Sequence, residues 1–264
     1  MPRGRDCGRV LAVTVLALTV GCGSDRGSPD RPNAAGTSAG SDPEKVRAAD
    51  VSILFVGNSH TSMHDLPDLI GKMIRFRHPE KTVYSHVVGV GFLEDVARNP
   101  QCREEIESRP WKFVVLQAQK ESKSGKARYS TAEGVDVAKL GKARGTAVVF
   151  YAEWGLRDVP GHGPRIEQVY DEMAAASGAR VAPVGRAWDI ALDARPELPL
   201  FDADGNHQSA VGAFLTASVL FGQITGESPA TLAAFPSEVV NVADRKFLAA
   251  TAAKALTQKA AESK

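Results

Sequence analysis

The sequence predicts a three-layer α/β/α sandwich around a central parallel sheet of five strands. Short apolar runs of strand character alternate with longer segments of helical periodicity. Alternation of this kind implies parallel strands that are joined by right-handed crossover helices. Several runs are apolar at every position, such as Phe-Val-Val-Leu at residues 113–116, which indicates strands that are covered on both faces.

The strands are expected at the apolar runs and the helices at the amphipathic segments between them. The predicted strands cover residues 51–56, 82–88, 111–116, 146–151 and 180–184. The predicted helices cover residues 66–76, 94–108 with a break at Pro100, 131–144 and 165–177. A final helix pair at residues 210–224 and 243–257 is expected to pack on the sheet.

The first 48 residues differ in composition from the rest of the chain. Three arginines precede an apolar run at residues 10–20, which is too short to span a bilayer and fits a secretory signal peptide at residues 1–21. An uncleaved anchor or plain secretion is the alternative. Residues 22–48 contain few large apolar side chains and are expected to form a disordered tether. The remaining residues, 49–264, are predicted to form one folded domain.

Composition and charge place this domain among ordinary globular proteins. Hydrophobic residues make up 43% and charged residues 24% of the chain. The formal net charge is +1, and removal of residues 1–21, with three Arg and one Asp, would change it to −1. Because no basic excess remains, the balance does not support nucleic-acid binding.

A candidate nucleophile follows the first predicted strand. The apolar run ends at Gly57, and Ser59 comes at the turn into the next helix. In parallel α/β sheets the reacting groups lie at the carboxyl ends of the strands, where helix N-termini offer unpaired backbone N–H groups. Ser59 would therefore have an oxyanion donor in its own backbone. Gly-Asn-Ser is also an ordinary turn sequence, so the serine needs a base.

The candidate base lies near the end of the chain. Residues 201–209 read Phe-Asp-Ala-Asp-Gly-Asn-His-Gln-Ser, with Asp204 and His207 three positions apart. This spacing lets the carboxylate accept a hydrogen bond from one imidazole nitrogen while the other nitrogen faces outward. Ser59, His207 and Asp204 are thus a candidate catalytic triad, and Glu153 is the alternative carboxylate partner for His207.

The two segments resemble the SGNH hydrolases of the GDSL esterase and lipase superfamily, whose first block holds the serine and whose last block reads Asp-x-x-His. The variant that opens with Gly-Asn-Ser is the most similar. The resemblance implies a flavodoxin-like fold and a carboxylester hydrolase that forms an acyl-enzyme. Acetylated carbohydrate or another envelope or extracellular ester is the expected substrate. A monomer without cofactor or metal is expected, and a catalytically silent glycan-binding lipoprotein is the alternative.

The same resemblance implies an oxyanion hole at the ends of the next two strands. Gly91 is the expected backbone donor after the second strand, with Gly89 as alternate and a tight turn as the structural alternative. Gln117 follows the third strand, where the family usually has an asparagine. Its amide would complete the hole with the Ser59 N–H, or it would satisfy a loop carbonyl. Under the first reading, Gln117→Ala would impair turnover and leave the fold intact.

Residues 18–22, Leu-Thr-Val-Gly-Cys, resemble a bacterial lipobox, although Thr19 stands where an aliphatic residue is more common. This resemblance implies that Cys22 is acylated as the first residue of an exported, membrane-anchored envelope lipoprotein. Cys7 would be removed with the signal peptide. Cys102 would then be the one unmodified cysteine, so no disulfide framework is expected.

Several other polar residues have two interpretations each. His60 and His64 have the spacing of two metal ligands on a helix, but no third ligand has a convincing position, so no metal is expected. The basic loop at residues 120–128 would favour anionic substrates or would simply be solvated. Trp154 is expected to be either a pocket wall or part of the core.

Overall fold

A computed structural model describes residues 40–96 and 98–262 of the chain. The predictions on the signal peptide and Cys22 concern residues outside this part, as does most of the predicted tether. Within the described part, none of the helices has both the length and the apolar character needed to cross a bilayer.

The described residues form five strands and ten α-helices, which alternate along most of the chain. The strands are β1 (Val51–Gly57), β2 (Val83–Gly89), β3 (Phe113–Leu116), β4 (Ala147–Ala152) and β5 (Arg180–Pro183). The helices are α1 (Pro43–Ala48), α2 (Ser59–Ser62), α3 (Leu66–Arg77), α4 (Leu93–Val96), α5 (Pro100–Ser108), α6 (Ala132–Ala143), α7 (His162–Ser177), α8 (Val184–Ala194), α9 (Ala210–Thr225) and α10 (Val242–Glu262). Short 3₁₀ helices lie at Met63–Asp65 and Pro229–Ala234.

The five strands form one parallel sheet in the order β2-β1-β3-β4-β5. Gly57 at the end of β1 pairs with Gly89 of β2, and Val56 pairs with Leu116 of β3. Successive connections run in opposite directions from β1, which leaves a crevice at the carboxyl ends of β1 and β3. The predicted α/β sandwich and its parallel sheet are confirmed.

Alternate residues of the strands enter two separate cores. In β1, Ile53 and Phe55 pack with α3, α8, α9 and α10, whereas Leu54 and Val56 pack with helices α4 to α7. Both faces of the sheet are therefore covered, which explains the continuous apolar runs in the sequence. The final helix pair, α9 and α10, packs on the sheet as predicted.

The N-terminal boundary of the folded part differs from the prediction. Helix α1 lies within the segment 22–48 that composition assigned to a disordered tether, and its Val46 is buried. The Asp42 side chain accepts hydrogen bonds from the first turn of this helix, and the Ser41 N–H donates to buried Glu105 at 2.8 Å. The polar composition of the segment did not indicate this helix, because the helix is capped by Asp42 and buries only one large apolar side chain, Val46, against the domain.

Helix α8 was not predicted, because it follows β5 without an intervening turn. It begins at Val184, the last residue of the predicted strand 180–184, and buries Ala187, Trp188 and Ala191 on the same face. This spacing is typical of an amphipathic helix. The apolar continuity between strand and helix concealed the boundary.

Candidate active site

Ser59, His207 and Asp204 form one chain of hydrogen bonds at the carboxyl edge of the sheet. Ser59 Oγ lies 2.7 Å from His207 Nε2, although the two residues are 148 positions apart. His207 Nδ1 lies 2.5 Å from Asp204 Oδ2. Because an ionised carboxylate can only accept, Nδ1 carries the proton and Nε2 is free to accept from the serine hydroxyl. This is the arrangement that a general base requires.

The loop that carries Asp204, the carboxylate of the candidate triad, is shaped by its own backbone. Asp204 Oδ1 accepts from the N–H groups of Asn206 and His207, both at 2.9 Å, and Gly205 takes a left-handed conformation with φ 69°. The hydrogen bond from the His207 ring, followed by that from the Asn206 N–H, lowers the pKa of Asp204 from 3.8 to about 2. The carboxylate therefore stays ionised at neutral and mildly acidic pH.

The turn that presents Ser59 depends on a glycine with close neighbours. A Cβ on Gly57 would lie 2.3 Å from Thr61 Oγ1 and 2.5 Å from Gln117 Oε1, so a larger residue would displace both. Asn58 caps α2 by accepting from the His60 N–H at 3.1 Å. Ser59 is the first residue of that helix, and its N–H has no helical carbonyl to which it can donate.

Gly91 lies in a connection whose neighbouring N–H groups are already engaged. Val90 N–H donates to the Gly57 carbonyl at 3.0 Å, and Phe92 N–H donates to Asp95 Oδ2 at 2.8 Å. Gly91 itself is exposed, and its carbonyl lies 3.4 Å from Asn58 Nδ2 beside the serine turn. Its position is compatible with the predicted oxyanion role, which stays a prediction. The alternate, Gly89, is instead the last residue of β2.

Gln117 does not occupy the role predicted for it. Its side chain is fully buried, and Oε1 accepts from the Asn58 N–H at 3.0 Å and the Thr61 hydroxyl at 2.8 Å. Since a backbone N–H can only donate, these contacts assign the oxygen, and Nε2 donates to the Glu153 carboxylate. The amide therefore joins the serine turn to the end of β4 and is not presented as a free oxyanion donor.

This correction changes the expected effect of substituting Gln117. Gln117→Leu would remove the hydrogen bonds that the Gln117 amide makes with the Asn58 N–H, the Thr61 hydroxyl and the Glu153 carboxylate, and would leave Glu153 only its contact with His60. Each unsatisfied buried group typically costs about 1–3 kcal/mol, so we expect a clear loss in the free energy of unfolding, measured by urea denaturation.

The matched control is Gln168→Leu on the exposed face of α7, where the amide donates to Glu172 at 3.2 Å. Its stability should remain within about 0.5 kcal/mol of that of the wild type. An unchanged free energy of unfolding in Gln117→Leu would contradict the structural role of these buried contacts.

Glu153 and Trp154 contact residues of the candidate site, but neither forms a hydrogen bond with Ser59 Oγ. The contacts of Glu153 are with Gln117 and with His60 Nδ1 at 3.4 Å, so Asp204 and not Glu153 is the carboxylate on His207. Trp154 is buried and stacks on Trp188 with ring centroids 4.0 Å apart. Its indole N–H donates to the Asn206 carbonyl at 2.8 Å, so Trp154 is a core residue that supports the histidine loop.

The two histidines of the suggested metal pair point to different partners. His60 faces Glu153, whereas His64 Nε2 lies 2.9 Å from the Gln208 carbonyl. His64 and Asp65 both have positive φ, 56° and 50°, which turns the chain sharply between α2 and α3. In the described part of the chain, no three His, Cys, Asp or Glu side chains are grouped to hold a metal ion.

The basic loop at residues 120–128 borders a cavity of about 190 Å³, but two of its cations have anionic partners. Lys120 pairs with Glu94, and Arg128 lies 2.6 Å from Glu172. Because these two positive charges are compensated, neither of them supports the suggested preference for anionic substrates.

Comparison with known proteins identifies the fold. No protein-family model and no curated protein matches the sequence. A candidate SGNH hydrolase from Slackia heliotrinireducens is 26% identical with a TM-score of 0.52, covering 65% of this chain and 97% of that chain. A catalytic mutant of an acetylxylan esterase from Geobacillus stearothermophilus is 13% identical with a TM-score of 0.56, covering 68% and 96%. A lipase/acylhydrolase from Enterococcus faecalis is 19% identical with a TM-score of 0.51, covering 67% and 96%.

The second and third of these likenesses concern the fold alone, because fewer than a quarter of the residues are identical. All three cover nearly the whole of the compared structure and about two thirds of this chain. The five parallel strands and the helices on both faces are the common architecture. This chain is therefore an α/β protein with the fold of the SGNH hydrolases, the superfamily of GDSL-type esterases and lipases.

Proposed function

We propose that the protein is a serine carboxylester hydrolase that acts through Ser59, His207 and Asp204. One observation carries this proposal: the serine hydroxyl lies 2.7 Å from the imidazole, which lies 2.5 Å from the carboxylate. These distances allow proton transfer from the hydroxyl without rearrangement. Support also comes from the fold, because solved proteins of similar structure include esterases and lipases.

The reaction follows from this arrangement in two halves. His207 Nε2 takes the Ser59 proton as Oγ attacks the ester carbonyl, and Asp204 stabilises the imidazolium that forms. The backbone N–H groups of Ser59 and Gly91 are the proposed donors to the tetrahedral oxyanion. The imidazolium then protonates the departing alcohol. In the second half, His207 activates a water molecule, which hydrolyses the acyl-enzyme.

The proposed substrates are esters of small acyl groups, with acetylated carbohydrate as the leading class. The Geobacillus stearothermophilus protein of similar fold is an acetylxylan esterase. The triad lies at the carboxyl edge of the sheet, and its Asp204 is exposed. A glycan too large for an enclosed pocket could therefore approach it.

The test combines covalent labelling with a substrate panel. A fluorophosphonate probe should label Ser59, with the modified peptide identified by mass spectrometry, and acetylated xylo-oligosaccharides should be hydrolysed faster than simple alkyl acetates. A folded protein whose Ser59 remains unlabelled would contradict the enzyme proposal and favour the silent glycan-binding alternative.

We also propose that the chain is exported and acylated at Cys22, on the basis of residues 1–22 alone. Expression in a bacterial host with labelled palmitate should give a labelled protein, and Cys22→Ser should remove the label. Cys102→Ser is the control, because Cys102 is buried and burial raises the pKa of its thiol to about 12. Label that persists in Cys22→Ser would contradict the proposed anchor.

A further inference from the structure

A second histidine–carboxylate pair lies beside the proposed triad and has no part in the mechanism above. His60 Nδ1 lies 3.4 Å from Glu153 Oε2, and the two side chains are only 11% and 12% exposed. Glu153 also accepts from the Gln117 amide. Burial of a carboxylate is costly unless donors surround it, and an apolar pair of similar volume would fill the same space at lower cost. The pair therefore calls for an explanation beyond packing.

The ring of His60 contacts the ring of His207 directly. The two imidazoles meet edge to face, with centroids 5.2 Å apart and an interplanar angle of 87°. His60 also stacks on Trp154, with centroids 4.8 Å apart, and Trp154 donates to the carbonyl of the residue before His207. The catalytic imidazole is thus supported through its own ring and through its backbone.

The backbone of His60 also contacts the histidine loop and strand β4. Its carbonyl accepts from Gln208 Nε2 at 3.3 Å and lies 3.4 Å from the Tyr151 hydroxyl. Successive side chains on a helix diverge by about 100°, so adjacent residues of α2 reach His207 from different sides. Ser59 contacts the Nε2 atom of His207, and His60 contacts the edge or face of the same imidazole ring.

We propose that His60 is a positioning residue for His207, and that Glu153, held by Gln117, orients the His60 ring. The proposal rests on the triad roles assigned to Ser59 and His207 under the proposed function. His60 and Glu153 act only through His207 and have no role in contacting the substrate. Displacement of a reacting group by about 1 Å can lower the rate by about 10²-fold, so the reaction requires an imidazole that is held in place.

The test compares three variants with a remote control. His60→Ala removes the ring, His60→Phe keeps a ring but loses Nδ1, and Glu153→Gln keeps the shape but loses the charge. His78→Phe is the control, because His78 pairs with Glu227 at the end of α3, outside the site. Steady-state kinetics on an acetyl ester give kcat and KM, and proton NMR follows the His207 Nδ1–H that is bonded to Asp204.

His60→Ala should lower kcat by about 10²-fold, with KM changed by less than about twofold, because ground-state binding is untouched. The downfield His207 Nδ1–H resonance should broaden or disappear. His60→Phe should recover about tenfold of the lost rate, since an aromatic ring again supports His207. Glu153→Gln should reduce kcat less than His60→Ala does, and His78→Phe should match the wild type.

Wild-type kcat and an unchanged resonance in folded His60→Ala would overturn the proposal, whatever its melting temperature. The proposal would also be overturned if the kcat of His60→Phe were no higher than that of His60→Ala. If His60→Ala does not fold, a wild-type resonance and kcat in both His60→Phe and Glu153→Gln would overturn it. Wild-type protein without turnover or Ser59 labelling would refute the proposed function instead, and the NMR resonance alone would then decide the role of His60.

Discussion

Ser59→Ala is expected to abolish ester hydrolysis, with kcat lowered by roughly 10⁴- to 10⁶-fold. The substitution removes the only atom of the proposed triad that forms a bond to the acyl group. The remaining oxyanion donors cannot replace a covalent step. Initial rates on an acetyl ester measure the loss, and labelling by a fluorophosphonate probe should disappear in parallel. Circular dichroism and the melting temperature should stay close to those of the wild type, because a hydroxyl at a turn adds little to the core.

Ser62→Ala is the matched control for this experiment. Ser62 is the last residue of the same short helix and is exposed. The control therefore repeats the chemical change three residues away without touching His207. Its rates and labelling should equal those of the wild type. Residual turnover in Ser59→Ala above about one tenth of the wild-type rate would point to another nucleophile and refute the assignment.

Asp204→Asn is expected to lower kcat by about 10⁴-fold while the loop keeps its shape. The carboxylate now holds the proton on His207 Nδ1, at 2.5 Å, and leaves Nε2 free for Ser59. An asparagine amide can instead donate to Nδ1, which places the ring proton on Nε2. An imidazole in that tautomer cannot accept the serine proton. Steady-state rates measure the effect, and a fall of less than about tenfold would contradict the triad.

Asp202→Asn provides the control within the same loop. The Asp202 carboxylate accepts from the Ala203 N–H at 2.8 Å and is exposed. Loss of its charge therefore changes the electrostatics of the loop without changing the histidine tautomer. Wild-type kcat is expected for Asp202→Asn.

The titration of Asp204 provides an independent check with a defined sign. Its pKa in the folded protein is about 2, below the ordinary 3.8, because the ionised form accepts hydrogen bonds from His207 and Asn206. The favourable contribution of this carboxylate is therefore complete above the ordinary pKa and is lost as the pH falls through about 2. Carboxyl ¹³C NMR should show a midpoint near the lowered value, and a midpoint at the ordinary pKa or above would contradict the hydrogen bonds.

The parts of the site that sequence patterns predicted are those whose geometry is local. Asp204 and His207 are separated by one polar turn, so three residues of spacing suffice to predict that a carboxylate can reach Nδ1. Ser59 comes two residues after Gly57, which ends an apolar run, and this position indicates a serine at the carboxyl end of a strand. The strands could also be predicted, because a strand buried on both faces has apolar residues at nearly every position.

The parts that sequence patterns missed depend on neighbours distant along the chain. Whether the Gln117 amide faces an oxyanion or a carboxylate depends on Glu153, which is 36 positions away. Whether Trp154 is a pocket wall or a core residue likewise depends on a distant neighbour, because its indole donates to the Asn206 carbonyl 52 positions away. No local signal distinguishes these alternatives, because each side chain would suit either environment.

By itself, the sequence determined the alternating strands and helices, the serine at the first strand end and the Asp204–His207 pair, since hydrophobic periodicity and short spacings act over a few residues. Only the tertiary structure decided that Gln117 is bound to Glu153, that the ring of His60 contacts the ring of His207 and that helix α1 packs on the folded domain. The physical reason is that hydrogen bonds form between whichever groups the strand order and the helix packing bring within about 3 Å, and that proximity is a property of the whole fold.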